Sequence, residues 1–404
     1  MMNPKRRFKK ADGTIFADWK NVPFANIFQE YNVKNTACLP QYTAGKYGLK
    51  PIDNEKIRYN IQNHKAFSIN SLILGIGIEE VGVATNYPGC VSPIYTTYQI
   101  QDHKANSLFI AYYIKNVFAK NKGRITHKST RREYEFEPTE LKKIDIPLPD
   151  SLEEQEKIAN FLFEIDNLIA SAEAEIEKTK NFKKAMLQKM FPKDGESVPE
   201  IRFPGFTDDW EQRKLGDVLS LENGYAFQSE YFVDEKTGFV VATPGNVRVE
   251  GGFICEGGKN YSVDGPCPDR FVFKPGDIFV TMTDLTPSAN TLGKPAIVPD
   301  NKTTYLHNQR LGKLVDFDGD KQFLFALLCT ERYHTQMVKT ASGTTVRHSS
   351  PDRILNYEAW FPKIKEQVLI GQVFMDIDNL ITLHQRKANA YKKLKKAMMQ
   401  QLFV

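Results

Sequence analysis

The residues best suited to catalysis in this sequence are few, and their spacing argues against each chemistry in turn. Pro149-Asp150 with Glu154 and Lys157 has the carboxylates and the lysine of a metal-dependent nuclease. It lacks a Glu-x-Lys step, and it opens a predicted helix rather than ending a strand. An adenine methyltransferase holds its flipped base with an Asn/Asp-Pro-Pro-Tyr/Phe tetrapeptide. The nearest approach here is Asn86-Tyr87-Pro88-Gly89. No Gly-x-x-x-x-Gly-Lys-Ser/Thr phosphate loop occurs, so no ATP motor is expected. The five cysteines, Cys38, Cys90, Cys255, Cys267 and Cys329, form no Cys-x-x-Cys pair. Cys255, Cys267 and His307 make at most a partial zinc set, and reduced, mostly buried thiols are the better reading. The chain is therefore expected to carry no catalytic residue, metal or cofactor of its own.

Residues suited to contacting nucleic acid are more plentiful. Lys120–Arg132 holds six Lys or Arg in thirteen residues, and offers Lys122, Arg124, Thr126, His127, Lys128, Ser129, Arg131 and Arg132. A polar stretch in the second half, Ser342–Ser349, offers Thr344, Thr345, Arg347, His348 and Ser349. Two weaker candidates are Gln41–Tyr47, with Tyr42, Thr43 and Lys46, and Thr283–Thr291, with Thr286 and Asn290. Side chains of these types contact phosphates and base edges. Each stretch taken alone also reads as a solvated loop. Charge separates the halves: residues 1–150 carry 22 Lys/Arg against 14 Asp/Glu, whereas 201–361 carry 17 against 21. A basic first half favours a nucleic-acid partner. Net acidity in the second leaves room for locally placed cations.

The elements that must position these loops show themselves by repetition. Glu154-Gln155-x-x-Ile158 recurs as Glu366-Gln367-x-x-Ile370, and Ile165-Asp166-Asn167-Leu168-Ile169 as Ile377-Asp378-Asn379-Leu380-Ile381. Lys183-Lys184-Ala185-Met186 recurs as Lys395-Lys396-Ala397-Met398, every match at an offset of 212. Each copy predicts a helix of roughly 40 residues, about 60 Å long. Sevens from Ile158 give Ile165, Ala172, Thr179 and Met186, with Leu168 among the residues three further on. The second copy gives Ile370, Ile377, His384, Tyr391 and Met398, with Leu380. This heptad predicts an antiparallel coiled coil with these residues in its seam, Ala172 meeting His384 at the midpoint. Ser151-x-x-Glu154 predicts a capping box at the first start.

The segments before the helices repeat more loosely. Pro4-x-x-Arg7-Phe8 and Trp19 reappear as Pro199-x-x-Arg202-Phe203 and Trp210. Between them, short β-like runs such as Ser71–Leu74 and Asp277–Thr281 are broken by Gly, Pro and Asn, with one helix expected near 107–120 and another near 321–338. The fold class is α+β: mixed modules at 1–150 and 193–361, alternating with long helices at 151–192 and 362–404. No run approaches the roughly 20 apolar residues of a membrane span, and the basic N-terminus lacks the apolar stretch of a secretory signal. The expected compartment is the cytoplasm.

The paired helices with Gln-x-x-Ile…Asp-x-Leu-Ile at 155–169 and 367–381, and a Trp followed by an apolar pattern opening each module, resemble the specificity subunits of type I restriction-modification systems. Pro275–Thr281 followed by Gly293–Val298 is similar to that family's strand pair. Module one departs from it with Asn70-Ser71 and Glu80–Ala84. The resemblance implies two target-recognition domains, each reading one half of a split double-stranded DNA site, with the helices setting the spacer. It implies two docked methyltransferase subunits, to which restriction subunits with an ATP-driven motor can be added. S-adenosylmethionine, ATP and Mg would then sit on those partners. The rival reading is a duplicated coiled-coil scaffold whose modules bind proteins.

Overall fold

The computed structural model describes residues 4–35, 39–45, 48–52, 63–69, 71–74, 81–84, 88–100, 105–120, 126–127, 135–136 and 138–403. Two long helices, Leu152–Lys189 and Ile364–Leu402, run without interruption. The chain divides into two compact units, Met1–Glu175 with His384–Val404, and Ile176–Leu383. Each unit therefore joins one module to the start of the helix that follows it and the end of the other long helix. The fold is α+β. No helix among the described residues is long and apolar enough to cross a membrane.

In the first unit, Lys20–Pro23 pairs antiparallel with Asp145–Leu148, so the start and end of the module are tied together. Phe28–Glu30, Thr96–Ile100, Ser71–Leu74 and Val81–Ala84 form one antiparallel sheet. Gly48–Pro51, Gln41–Gly45, Gly89–Val91 and Lys65–Phe67 form a second, with a parallel step between Gln41–Gly45 and Gly89–Val91. The helix Ser107–Lys120 packs Phe109, Ile110, Tyr112 and Tyr113 into a core with Trp19, Phe24, Ile158, Leu162 and Phe403. Asn106 accepts from the Phe109 N–H through its side chain, a cap that sets where this helix starts.

The second unit repeats the plan. Glu211–Lys214 pairs antiparallel with Glu358–Phe361. Ser220–Asn223, Leu311–Val315, Ile278–Thr281 and Pro295–Ile297 form a four-stranded sheet. Lys259–Asn260, Phe239–Ala242 and Thr304–His307 form a three-stranded one, again with a parallel step. The single helix expected near 321–338 is two, Lys321–Cys329 and Glu331–Thr340. Thr330 leaves the helical region at φ −61°, ψ 149° and its hydroxyl accepts from Tyr333 N–H, so it ends one helix while capping the next. Phe191, Trp210, Phe323, Ile370 and Phe374 occupy the core.

The Glu-Gln pair opening each long helix locks helix to module. Arg7 donates from Nε and Nη2 to the two carboxylate oxygens of Glu154, at 2.9 and 2.8 Å, and Arg202 does the same to Glu366 at 2.7 and 2.9 Å. Such two-pronged, charge-assisted bonds are among the strongest a protein makes. Glu154 is thus committed to Arg7, in place of the capping box expected with Ser151. Gln155 donates to Pro149 O and accepts from Asn106 N–H. Gln367 donates to Pro362 O and accepts from Asp320 N–H. Each glutamine thereby fastens the long helix to the start of the module's own helix.

Within the first unit, Asp166 accepts from Lys395 Nζ and Glu173 pairs with Lys392, so the two helices run antiparallel there. Within the second, Lys183 Nζ donates to both oxygens of Asp378 at 2.7 Å. These are one ion pair written twice at the 212-residue offset. The buried stripe differs from the expected seam. Ile158, Ile165, Ala172, Ile370 and Ile377 are buried, with His384, Met186 and Met398 half-buried. The residues that complete the stripe lie four positions on, at Leu162, Ile169 and Lys183 and at Phe374, Ile381 and Lys395. Leu168 and Leu380, three positions on, are 44% and 43% exposed and lie outside the seam, as do Phe182 at 52% and Leu394 at 44%. A helix seam alternates steps of three and four. Starting the count at Ile158 leaves two phases open, and the Asp–Lys pairs select the four-first one.

Candidate nucleic-acid interface

In the second unit, the strand Ile278–Thr281 is followed by Thr283–Asp284, which pairs antiparallel with Arg347–His348. Two segments singled out from sequence thereby become neighbours. Asp284 organises the first. Its carboxylate is buried and accepts from Thr286 N–H and Oγ at 2.8 and 2.6 Å, and from Thr291 N–H and Oγ at 2.7 and 2.7 Å. Burial disfavours its charge, but the four donors hold its pKa below the usual carboxylate value. The loop is thus braced from within, and it leaves Thr286, Ser288 and Asn290 exposed.

The second segment is a tight hairpin. Ser342 and His348 exchange backbone hydrogen bonds at 3.0 and 2.9 Å. Gly343 has φ +85°, and a Cβ there would lie 2.0 Å from Val346 O, so only glycine fits. Thr344 and Thr345 stand exposed at its tip. His348 Nδ1 shares a 3.2 Å hydrogen bond with Thr283 Oγ1. Arg347 is turned to a structural use, donating from Nη2 to Val338 O at the end of the helix Glu331–Thr340. Ser349 is half-buried and its N–H donates to Met282 O at 2.9 Å. The side chains left free to face a ligand are therefore Asn290 from one loop and Thr344 and Thr345 from the other, while exposed Thr286 keeps its hydroxyl on Asp284. A third segment, the turn Asn308–Arg310, abuts the same place: Met282 N–H donates to Arg310 O at 2.8 Å. Sequence reading passed over this turn because it has neither a charge run nor a glycine.

In the first unit, Tyr42 and Thr43 lie on the strand Gln41–Gly45 rather than on a loop. Thr43 Oγ1 and Tyr95 OH are 2.7 Å apart, and the Tyr42 ring meets Phe67 edge-on at 5.8 Å. A Cβ on Gly89 would come within 2.7 Å of the Tyr42 ring, so this glycine makes room for it. Tyr42 and Thr43 thus pack within the module. Thr126–His127 pairs antiparallel with Glu135–Phe136. Lys46, Lys122, Arg124, Lys128, Ser129, Arg131 and Arg132 lie outside the described residues.

The partial zinc set does not assemble. His307 is buried, its Nε2 lies 2.9 Å from Leu311 O, and its ring packs on Phe273 at 4.6 Å. Burial lowers its pKa to about 4, so it is neutral near pH 7. Among the described residues no three His, Cys, Asp or Glu side chains are grouped to hold a metal.

A family model described as the type I restriction modification DNA specificity domain matches residues 16–181 and again 207–393. The chain belongs to that family. Each specificity domain takes in one module together with most of the long helix after it. The chain is 29% identical over 265 residues to the type I restriction enzyme MjaVIII specificity subunit of Methanocaldococcus jannaschii, covering 64% of this chain and 61% of that protein. It is 31% identical over 118 residues to the putative type I restriction enzyme MjaX specificity subunit of the same organism, over 28% of each. It spans about three fifths of the first relative and under a third of the second. The crystal structure of a type I restriction-modification S subunit from M. genitalium has the same fold, with a TM-score of 0.63 at 13% identity, over 100% of this chain and 99% of that one. A structure described as showing complex assembly and conformational transition of the type I R-M system matches with a TM-score of 0.51 at 15% identity, over 96% and 97%.

Proposed function

We propose that this chain is the DNA-recognition subunit of a type I restriction-modification system. Each specificity domain reads one half of a bipartite double-stranded site. The observation that carries the reading is the pair of braced loops in the second unit, which hold exposed Thr286, Asn290, Thr344 and Thr345 on rigid backbone within a family domain that occurs twice. Side chains that donate and accept hydrogen bonds, held without freedom to adapt, suit direct readout of base edges. The chain itself performs no chemistry. Two methyltransferase subunits supply adenine methylation with S-adenosylmethionine, and restriction subunits supply ATP- and Mg-dependent cleavage, in the cytoplasm. The exposed Leu168, Phe182, Leu380 and Leu394, matched at equivalent places on the two helices, offer apolar surface for the methyltransferase subunits.

The test is binding to duplex DNA of random and selected sequence across a salt series. A reader of DNA enriches a two-part sequence and loses affinity steeply between low and moderate salt. No enrichment together with a flat salt response would establish the protein-binding scaffold instead. A four-residue insertion near Ala172 is expected to alter the spacer of the enriched site and to leave both halves unaltered.

A further inference from the structure

We propose that Gln309 and Arg310 read base edges in the half-site recognised by the second unit. This rests on the DNA-recognition reading above and adds to it two residues that neither composition nor motif marks. They occupy the turn between the strands Thr304–His307 and Leu311–Val315. The backbone of that turn is pinned on every side. Gln309 N–H donates to Tyr225 O at 3.0 Å, Arg310 N–H to the Asn308 side-chain oxygen at 3.0 Å, and Leu311 N–H to Asn308 O at 2.9 Å. The Tyr225 segment approaches so closely that a Cβ on Gly224 would lie 2.2 Å from Asn308 O, which leaves glycine as the only residue able to sit there.

Placement decides what a pinned turn here can do. Met282 donates its N–H to Arg310 O and accepts from Ser349 N–H through its own carbonyl. One residue thus bonds both the turn and the Ser342–Ser349 hairpin, while the Asp284-braced loop begins two positions further along the chain. Met282 joins the three segments to one another. Both Gln309 and Arg310 are exposed, and neither side chain makes a hydrogen bond or ion pair among the described residues. Two other arginines beside this hairpin are already committed, Arg347 to Val338 O and Arg353 to His348 O. Among the described residues Arg310 is therefore the arginine without a partner beside the exposed side chains of Asn290, Thr344 and Thr345. A guanidinium pairs in two-pronged fashion with guanine O6 and N7, and a glutamine amide with adenine N6 and N7. A lysine in place of Arg310 keeps the charge but not the rigid planar fork.

The experiment uses the full chain in complex with the methyltransferase subunit of its system. Sequences are enriched from a randomised duplex library with the wild type, Arg310→Ala, Arg310→Lys and Gln309→Ala, and affinity for the wild-type site is measured across a salt series. Arg310→Ala is expected to lose the preference at one position of one half-site and to bind the wild-type site about ten- to a hundredfold more weakly. The other half-site should stay unaltered. Arg310→Lys should lose the same preference while retaining the salt slope, and Gln309→Ala should relax a neighbouring position. If Arg310→Ala enriches the wild-type sequence and only weakens binding uniformly with a shallower salt slope, Arg310 touches phosphate and the assignment is overturned. Unaltered sequence and affinity overturn it equally. A wild type that enriches no sequence overturns the recognition reading itself. Thermal unfolding matching the wild type excludes a folding defect in the variants, as expected for exposed positions.

Discussion

Arg7 meets Glu154 in module one as Arg202 meets Glu366 in module two, and Phe403 meets Phe109 at 5.4 Å as Phe191 meets Phe323 at 5.6 Å. Beyond these roots the modules part. The parallel step of module one joins Gln41–Tyr42 to Cys90–Val91, and that of module two joins Phe239–Ala242 to Thr304–His307. The first carries a buried thiol, hydrogen-bonded from Asn35, and the second a buried histidine, His307. What touches the long helices is held constant by bonds that tolerate little change. What lies away from them differs, so one frame carries two dissimilar modules, as the proposed reading of two half-sites requires.

The largest effects should come from the shared root. Glu154→Ala and Glu366→Ala each leave a largely buried guanidinium without its carboxylate, which costs about 3–5 kcal/mol. Hydrogen exchange resolved along the chain should show each variant loosening its own unit and sparing the other. If Glu366→Ala loosened both units equally, the two would not be separate cooperative bodies.

The histidine should separate the modules by pH. His307 has a folded pKa of about 4, below the ordinary 6.5, because burial disfavours its charged form. The unfolded chain therefore takes up the proton first as pH falls. The stability from neutral His307 is complete above about pH 6.5 and is lost as pH drops toward 4, by about 2 kcal/mol at pH 5. Burial lowers the pKa of His334 as well, which adds in the same direction. Protection of the second unit should fall between pH 7 and pH 5, and His307→Gln should flatten that fall. An unaltered slope in the variant would remove His307 as its source.

The ion pairs between the helices offer a finer contrast. Asp166 is 6% exposed and Asp378 is 37% exposed. Lys395→Met strands a buried carboxylate, although Tyr112 OH still donates to it at 2.8 Å. Lys183→Met leaves a carboxylate that water can reach. The first substitution should destabilise its unit by roughly 2–3 kcal/mol and the second by about 1. Equal losses in thermal unfolding would show that exposure does not govern the cost.

Sequence alone made much of this frame legible, because its signals are local and doubled. The offset of 212 marks the helices, and the Glu-Gln pair, the lead-in arginine and the Trp all recur. The bonding that gives these residues their purpose was not legible. Glu154 looks like a capping residue until Arg7, 147 positions earlier, is brought to it. In the interface, composition favoured Arg347, which the fold spends on a helix end. It passed over Arg310, whose worth comes from the neighbours that sheet pairing gives it. A charged residue's type is written in the sequence, whereas its availability depends on partners far away along the chain.

The smallest expected change in stability carries the most information about assembly. Leu168 and Leu380 are equivalent residues, both exposed, and both one position away from the buried stripe. Trimming an exposed leucine to alanine alters stability by no more than about 0.5 kcal/mol. A seam leucine would cost several times that, about 2–5 kcal/mol. Leu168→Ala and Leu380→Ala should therefore unfold with the wild type while weakening capture of the proposed methyltransferase partner, each at its own helix. With the two docked copies proposed above, the double variant should lose both, read as a fall in the mass of the complex. Large destabilisation would return these leucines to the seam. Unaltered stability with an intact complex would mean that the repeated apolar residues serve neither purpose, leaving the matched helices as spacers alone.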